Sequence, residues 1–193
     1  TGVDLAVQKH EAAGKTVLFT ILGTPSGERI PLNIESGRWS GPEIVEKIAD
    51  VWKRFGSILV VENVAAQQYI VDFARELTAA TVRPFTTGRN KVNPEFGVES
   101  LFAELANGKW LIPNEGGVMH HEVEEWISEM LEYDPREHTG DRLMAAYFAR
   151  EGARKVRGNR GLPSVGLRVL GGDRSNAANP GRDENGRTLL QRL

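Results

Sequence analysis

Cysteine is absent from the 193 residues, which excludes disulfides and thiolate metal sites and fits a reducing compartment. No apolar run approaches the roughly 20 residues that a membrane-spanning helix needs. The opening Thr1-Gly2-Val3-Asp4 lacks the basic stretch and apolar core of a signal peptide, and without an initiator methionine it reads as a piece of something longer or processed. No G-x-x-x-x-G-K-[ST] phosphate loop occurs, so ATP hydrolysis by that route is excluded. A strong net charge is missing too. The 24 Lys and Arg against 26 Asp and Glu leave −2, so any nucleic-acid surface has to be a local patch.

The pattern that is present belongs to an α/β domain. The apolar share is 40%, enough for a core but lean. Val3 to Val7, Thr16 to Leu22 and Glu28 to Ile34 read as three strands joined by short turns, the arrangement of an antiparallel meander. Ser40 and Glu43 have capping-box spacing with Pro42 in the first turn. Ile44, Val45, Ile48, Val51, Trp52 and Phe55 follow at helical period up to Gly56. Ser57 to Val61 is a continuous apolar run, as expected of a strand buried on both faces, and Glu62 stands at its end. Asn63 is positioned to cap a second helix, with Ala66, Tyr69, Ile70, Phe73 and Leu77 along one face. Thr81 to Phe85 reads as a strand. Asn93 and Pro94 open a helix lined by Val98, Leu101, Phe102 and Leu105, which Asn107-Gly108 ends. Trp110 to Ile112 reads as a short strand, and two further helices carry Val123, Trp126, Ile127, Met130 and Leu131, then Leu143, Met144, Tyr147 and Phe148.

Beyond Gly152 the texture changes. We divide the chain into a domain of residues 1–152 and a tail of residues 153–193, rich in Gly, Asn, Pro and Arg, weakly ordered or ordered by a partner. From residue 151 onward, nine Arg and Lys face four Asp and Glu, a net of +5 that leaves −7 for the rest. Three strands, helix, strand, helix, strand and further helices imply a mixed sheet with helices on both faces, the order of the RNase H-like fold.

Three carboxylates occupy places from which a strand or helix can aim them at one point. Asp4 lies in the first strand, with Val3 and Leu5 on the opposite face. Glu62 ends the buried strand, and Asp141 opens the last helix. They lie 58 and 79 residues apart in the chain, so only folding can unite them. Taken singly, each has an ordinary reading: a strand-end acid, a surface acid, a helix N-terminal acid favoured by the dipole. Together they suit phosphodiester cleavage by two hard cations about 3.5–4 Å apart, which activate water and stabilise the leaving oxygen. Mg²⁺ and Mn²⁺ prefer oxygen ligands of this kind. Asp4 would then bridge two ions, with Glu62 and Asp141 each completing one shell.

Several motifs resemble the nuclease domain of tailed-phage terminase large subunits. Gly2-Val3-Asp4-Leu5-Ala6 is similar to that family's first acidic motif. Val60-Val61-Glu62-Asn63 with Ala65-Ala66-Gln67 is similar to the second, and His138-Thr139-Gly140-Asp141-Arg142-Leu143-Met144-Ala145 to the third. Thr86-Thr87-Gly88-Arg89-Asn90-Lys91, Phe96-Gly97-Val98-Glu99-Ser100-Leu101 and Gly108-Lys109-Trp110-Leu111-Ile112-Pro113 resemble the middle segment. The resemblance implies a metal-dependent endonuclease that cuts concatemeric double-stranded viral DNA during packaging, with two Mg²⁺ or Mn²⁺ ions on Asp4, Glu62 and Asp141. It also implies an N-terminal ATPase domain, which this chain lacks, a small terminase subunit and a capsid portal as partners, and the cytoplasm of an infected host cell. Some relatives carry an acid beside the third one; Gly140 stands there, which puts a fourth ligand in doubt. Two other readings are a junction resolvase or related RNase H-like enzyme, and a non-catalytic docking domain with structural acids.

Basic side chains mark a candidate DNA surface. Arg83, Arg89 and Lys91 flank the middle loop, where they either hold phosphates or belong to a solvated loop; Lys9, His10 and Lys15 lie in the turn after the first strand, either facing solvent or reaching DNA or the attacking water. His120 and His121 are neighbours that point apart on a helix and read as a surface helix start. His138 is a weak candidate near the ions. Glu122, Glu124, Glu125, Glu129 and Glu132 read as a solvated helix face, Asp72 as solvent-facing, and the four tryptophans as packing.

Overall fold

In a computed structural model, residues 1–6, 14–62, 68–86, 97–114 and 118–158 are described, with backbone alone at Leu77 and residues 155–158. The strands are β1 (Gly2–Asp4), β2 (Thr16–Gly23), β3 (Arg29–Gly37), β4 (Leu59–Glu62) and β5 (Val82–Phe85). The helices are α1 (Gly41–Phe55), α2 (Gln68–Leu77), α3 (Glu99–Ala106), α4 (His121–Leu131) and α5 (Asp141–Gly158). One five-stranded sheet has the order β3-β2-β1-β4-β5. The β1–β2 and β2–β3 pairs are antiparallel, while β1–β4 and β4–β5 are parallel. A hairpin meander followed by parallel crossovers, with helices on both faces, is the mixed RNase H-like sheet expected from the element order.

Side-chain alternation along each strand divides the core in two. Val3, Leu18, Leu59, Val61 and Val82 pack with Ile44, Val45, Ile48 and Val51 of α1 and with Ile70, Val71 and Ala74 of α2. Val17, Phe19, Ile34, Val60 and Phe85 face the other way, onto Leu143, Met144, Tyr147 and Phe148 of α5, with Leu101 of α3 and Trp126 of α4 beside them. Phe19, Trp110 and Trp126 form an aromatic knot, with ring centroids 4.9 Å apart for Phe19–Trp126 and 5.2 Å for Trp110–Trp126. Trp39 and Trp52 are half-buried against the α1 side, so all four tryptophans are packing residues.

α1 begins and ends as its sequence dictates. The Glu43 carboxylate accepts both the Ser40 N–H, at 2.6 Å, and the Ser40 hydroxyl, at 2.5 Å. At the other end Gly56 adopts a left-handed φ of 58° and returns its N–H to the Trp52 carbonyl.

Three expectations need correction. The exposed and buried stripes of α2 are exchanged: Tyr69 and Phe73 are 45% and 53% exposed, while Ile70, Val71 and Ala74 are buried. Two helical-period stripes share Ile70, and packing against α1 and the sheet selects the one carrying β-branched Val71. Trp110 to Ile112 forms no strand. It makes a single parallel bridge to the start of β3, through Arg29 N–H to Lys109 O at 2.8 Å and Leu111 N–H to Arg29 O at 2.9 Å. Helix α5 runs past Gly152 to Gly158, because Gly152 is a packing contact rather than a helix stop: a Cβ there would lie 2.6 Å from Val60 Cγ2. The expected caps at Asn63 and Asn93 and the tail from residue 159 onward lie outside the described residues. No helix among the described residues is long and apolar enough to cross a membrane.

Candidate active site

The parallel pairing of β1 with β4 sets Gly2 opposite Val60 and Val3 opposite Val61. Continued by one residue, this register brings Asp4 beside Glu62, each at the C-terminal end of its strand. In a parallel sheet such neighbours are about 4.8 Å apart along the hydrogen-bonding direction. Both carboxylates belong to the α5 face, since Val3, Leu5 and Val61 fill the opposite core. Both are half-buried. In open α/β sheets the carboxyl ends of parallel strands are where ligands are bound.

Asp141 approaches the same end from above. α5 lies directly on β1, so close that a Cβ on Gly2 would stand 2.0 Å from Ala145 O and 2.4 Å from Ala149 N. Its first turn therefore overhangs the β1–β2 pair. There Asp141 Oδ2 accepts the Lys15 N–H at 2.6 Å, two residues beyond Val17, the partner of Asp4. Gly14 lets the carboxylate in, since a Cβ there would be 2.9 Å from Asp141 Oδ1.

Among the described residues, no three His, Cys, Asp or Glu side chains are gathered tightly enough to hold a metal ion. The donor chemistry nonetheless fits a hard divalent cation: the acids at this end offer only oxygen. Asp4 and Glu62 end neighbouring parallel strands, and Asp141 is bonded to the Lys15 amide.

Of the candidate phosphate ligands, Arg83 sits on β5 opposite Val60, on the α5 face and one pleat behind Glu62. Lys15 is half-buried beside Asp141. Lys9, Arg89 and Lys91, with His10, lie outside the described residues. His138 is exposed in the segment before α5. His120 starts α4, its Nδ1 accepting the Glu122 N–H at 3.3 Å. Asp72 is exposed, bonded to Gln68 Nε2 at 3.1 Å.

Glu124 and Glu132 are exposed as expected, but Glu122, Glu125 and Glu129 are not simply solvated. Arg142, next to Asp141, is only 5% exposed and gathers three acids of α4. Its Nε meets Glu122 Oε2 at 2.8 Å, its Nη1 meets Glu129 Oε1 at 2.9 Å, and its Nη2 lies 3.8 Å from Glu125. Nη2 also donates to Ser36 Oγ of β3 at 3.2 Å, and that hydroxyl donates to Glu122 Oε1 at 3.0 Å. Burial pushes the Glu129 carboxyl above its ordinary pKa, against the pull of the Leu143 N–H and of Arg142. Burial also disfavours the Arg142 charge, but its bonds to the Glu122 and Glu129 carboxylates outweigh that and raise the guanidinium pKa. A sequence signal for this cluster exists: Glu122, Glu125 and Glu129 recur at i, i+3 and i+7, one stripe flanking Trp126. A stripe of acids beside a buried tryptophan calls for a cation.

Arg150, 1% exposed, is a second buried cation that the sequence reading missed. It donates to Ser100 Oγ at 2.6 Å and to Gly97 O at 3.1 Å, tying α5 to α3.

No family model matches this chain, and no curated protein matches it. Among solved structures, the Thermus thermophilus RuvC structure is similar at 15% identity and a TM-score of 0.45, covering 81% of this chain and 93% of that one. T. thermophilus RuvC in complex with Holliday junction substrate gives 13% and 0.39, over 82% and 94%. The yeast mitochondrial Holliday junction resolvase Ydc2 gives 12% and 0.46, over 81% and 82%. Strand order and pairing make this sheet RNase H-like in fold.

Proposed function

We propose that the protein is a divalent-metal-dependent nuclease acting on DNA. The observation that carries this reading is the β1–β4 register, which pairs two carboxylates on one face at the carboxyl ends of parallel strands, with Asp141 overhanging from α5. Asp4 and Glu62 would hold Mg²⁺ or Mn²⁺, and Asp141 would complete the set. The ions would supply charge neutralisation and an activated water for phosphodiester hydrolysis. The chain's own contribution is to fix the acids: Lys15 N–H orients one oxygen of Asp141, and the sheet holds Asp4 and Glu62 in register. Lys15 and Arg83, with Lys9, Arg89 and Lys91, are the side chains we assign to phosphate contacts.

The finer reading, an endonuclease that cuts concatemeric double-stranded viral DNA during packaging in an infected cell, rests on the motif resemblance alone. Its partners, an ATPase domain, a small subunit and a portal, belong to that finer reading. A junction resolvase would use the same sheet and the same kind of acids, so substrate choice is the discriminating measurement. Supercoiled plasmid, a four-way junction and an RNA–DNA hybrid are each incubated with Mg²⁺ or Mn²⁺. Plasmid cleavage supports the packaging reading, and selective cutting of the junction supports the resolvase. If Asp4→Asn or Glu62→Gln cuts as fast as the parent, the site is wrongly assigned.

A further inference from the structure

We infer that Glu129 is a positioning residue for Asp141: it caps α5 from outside the helix and so fixes the direction in which the carboxylate projects. The inference rests on the reading of Asp141 as a metal ligand. The first N–H groups of a helix have no partner within it, and a side chain at the position before the first turn usually satisfies one of them. Here that position is Gly140, whose carbonyl takes the first intrahelical bond, from Met144 N–H at 3.0 Å. Glycine has no side chain to offer.

Glu129 of α4 fills the place. Its Oε2 accepts the Leu143 N–H at 2.9 Å, the amide that a capping side chain at position 140 would take. A Cβ on Gly140 would stand 2.4 Å from that same oxygen, so capping from within the helix and capping by Glu129 exclude each other. The other oxygen, Oε1, binds Arg142 Nη1 at 2.9 Å. Glu129 thus holds the residue after Asp141 by its side chain and the next by its backbone. On the far side, Lys15 N–H holds Asp141 Oδ2. Lys15 N–H thus holds the carboxylate itself, and Glu129 holds the helix turn that carries it, the kind of outer support that orients metal ligands.

Glu122 provides the internal comparison. It also pairs with Arg142 through its side chain, whereas Glu129 in addition accepts the Leu143 backbone amide.

The test is Mn²⁺ binding to the full chain, read by electron paramagnetic resonance of free Mn²⁺, with melting of each metal-free variant alongside. Glu129→Gln is expected to weaken Mn²⁺ binding about tenfold or more, while Glu122→Gln lowers the melting temperature but binds Mn²⁺ as the parent does. Gly140→Ala displaces Glu129 without removing a charge and is expected to weaken binding similarly, which keeps the inference testable if Glu129→Gln folds poorly. Parent-like binding in both Glu129→Gln and Gly140→Ala overturns it. So does an equal loss in Glu122→Gln, since the cluster would then only brace the fold. Asp141→Asn separates the two levels. If it weakens binding and Glu129→Gln does not, the cap alone is wrong. If it binds like the parent, or the parent binds no Mn²⁺, the metal reading falls and takes the cap with it.

Discussion

Gly2 and Ala145 are in backbone contact: a Cβ on Gly2 would lie 2.0 Å from the Ala145 carbonyl oxygen. Helix and strand meet with no side chain between them, and the small residues Ala145, Ala149 and Gly152 continue that seam along α5. This closeness lowers the first turn of α5 onto the sheet end that carries Asp4.

Gly2→Ala is therefore expected to lift α5 off β1. Overpacking of this kind costs about 1–3 kcal/mol, to be read as a lower denaturant midpoint with an unchanged slope. Because the displaced helix carries Asp141, Mn²⁺ affinity is expected to fall in the same variant. Parent-like stability would show that the seam is looser than the backbone distances imply.

Asp4→Asn and Glu62→Gln are expected to separate stability from activity. Each substitution keeps the size of a side chain at a half-buried strand end, so each metal-free variant is expected to melt close to the parent's temperature. Nuclease activity is expected to drop about 100-fold or more, as removal of several kcal/mol of transition-state stabilisation requires. A variant that loses stability and activity in step would point to a structural role for the acid.

Arg142→Met leaves Glu122 and Glu129 without their shared cation. Removing one partner of a buried ion cluster typically costs about 3–5 kcal/mol, because the remaining charge stays uncompensated. Urea unfolding of parent and variant measures this directly. The triple variant with Glu122→Gln and Glu129→Gln is expected to recover part of the loss, since only Glu125, 45% exposed, then remains without the cation.

Glu35 supplies a pH dependence with a definite sign. Burial works to raise its carboxyl, but bonds from Asn33, Arg54 and Lys47 outweigh it and hold the pKa below its ordinary 4.5. Arg54 pairs with Glu35 Oε1, and Lys47 Nζ lies 3.1 Å from Oε2, linking β3 to α1. A lowered carboxyl means that the unfolded chain binds the proton more readily. The stabilisation is therefore present above pH 4.5 and is lost as the pH falls through the folded-state pKa. Glu35→Gln is expected to flatten that part of the stability profile, measured by melts across the acid range against the parent. An unchanged acid limb would remove Glu35 as its source.

Much of the fold was legible because it is written in local pattern. Apolar runs, alternation and helical period gave the five strands and five helices of the described residues, together with a strand at Trp110 to Ile112 that the fold does not form. The Ser40–Glu43 spacing and Gly56 marked both ends of α1. What the pattern hid was tertiary choice. Tyr69 and Phe73 lie at the same i, i+4 spacing as Ile70 and Ala74, and only the docking partner decides which stripe is buried. Trp110 carries the composition of a strand residue, yet it pairs by a single bridge because its ring is taken into the Phe19–Trp126 knot.

The candidate site divides in the same way. Asp4 and Glu62 could be read from the strands that end in them, since alternation fixes their face. Around Asp141 the acidic stripe of α4 calls for a cation, but which cation it meets is a tertiary choice. Glu129 and Glu122 are ordinary exposed-type residues in sequence, and their burial depends on Arg142, 13 and 20 residues further on. Gly140 looked like a missing ligand, whereas the fold uses it as the vacant cap that admits Glu129.

The most direct test of the account is the anomalous scattering of crystals soaked in Mn²⁺. The account predicts a peak between the carboxylates of Asp4 and Glu62 at coordination distance, with Asp141 on its near side. A map with no peak there, in crystals that bind Mn²⁺ elsewhere, would contradict it.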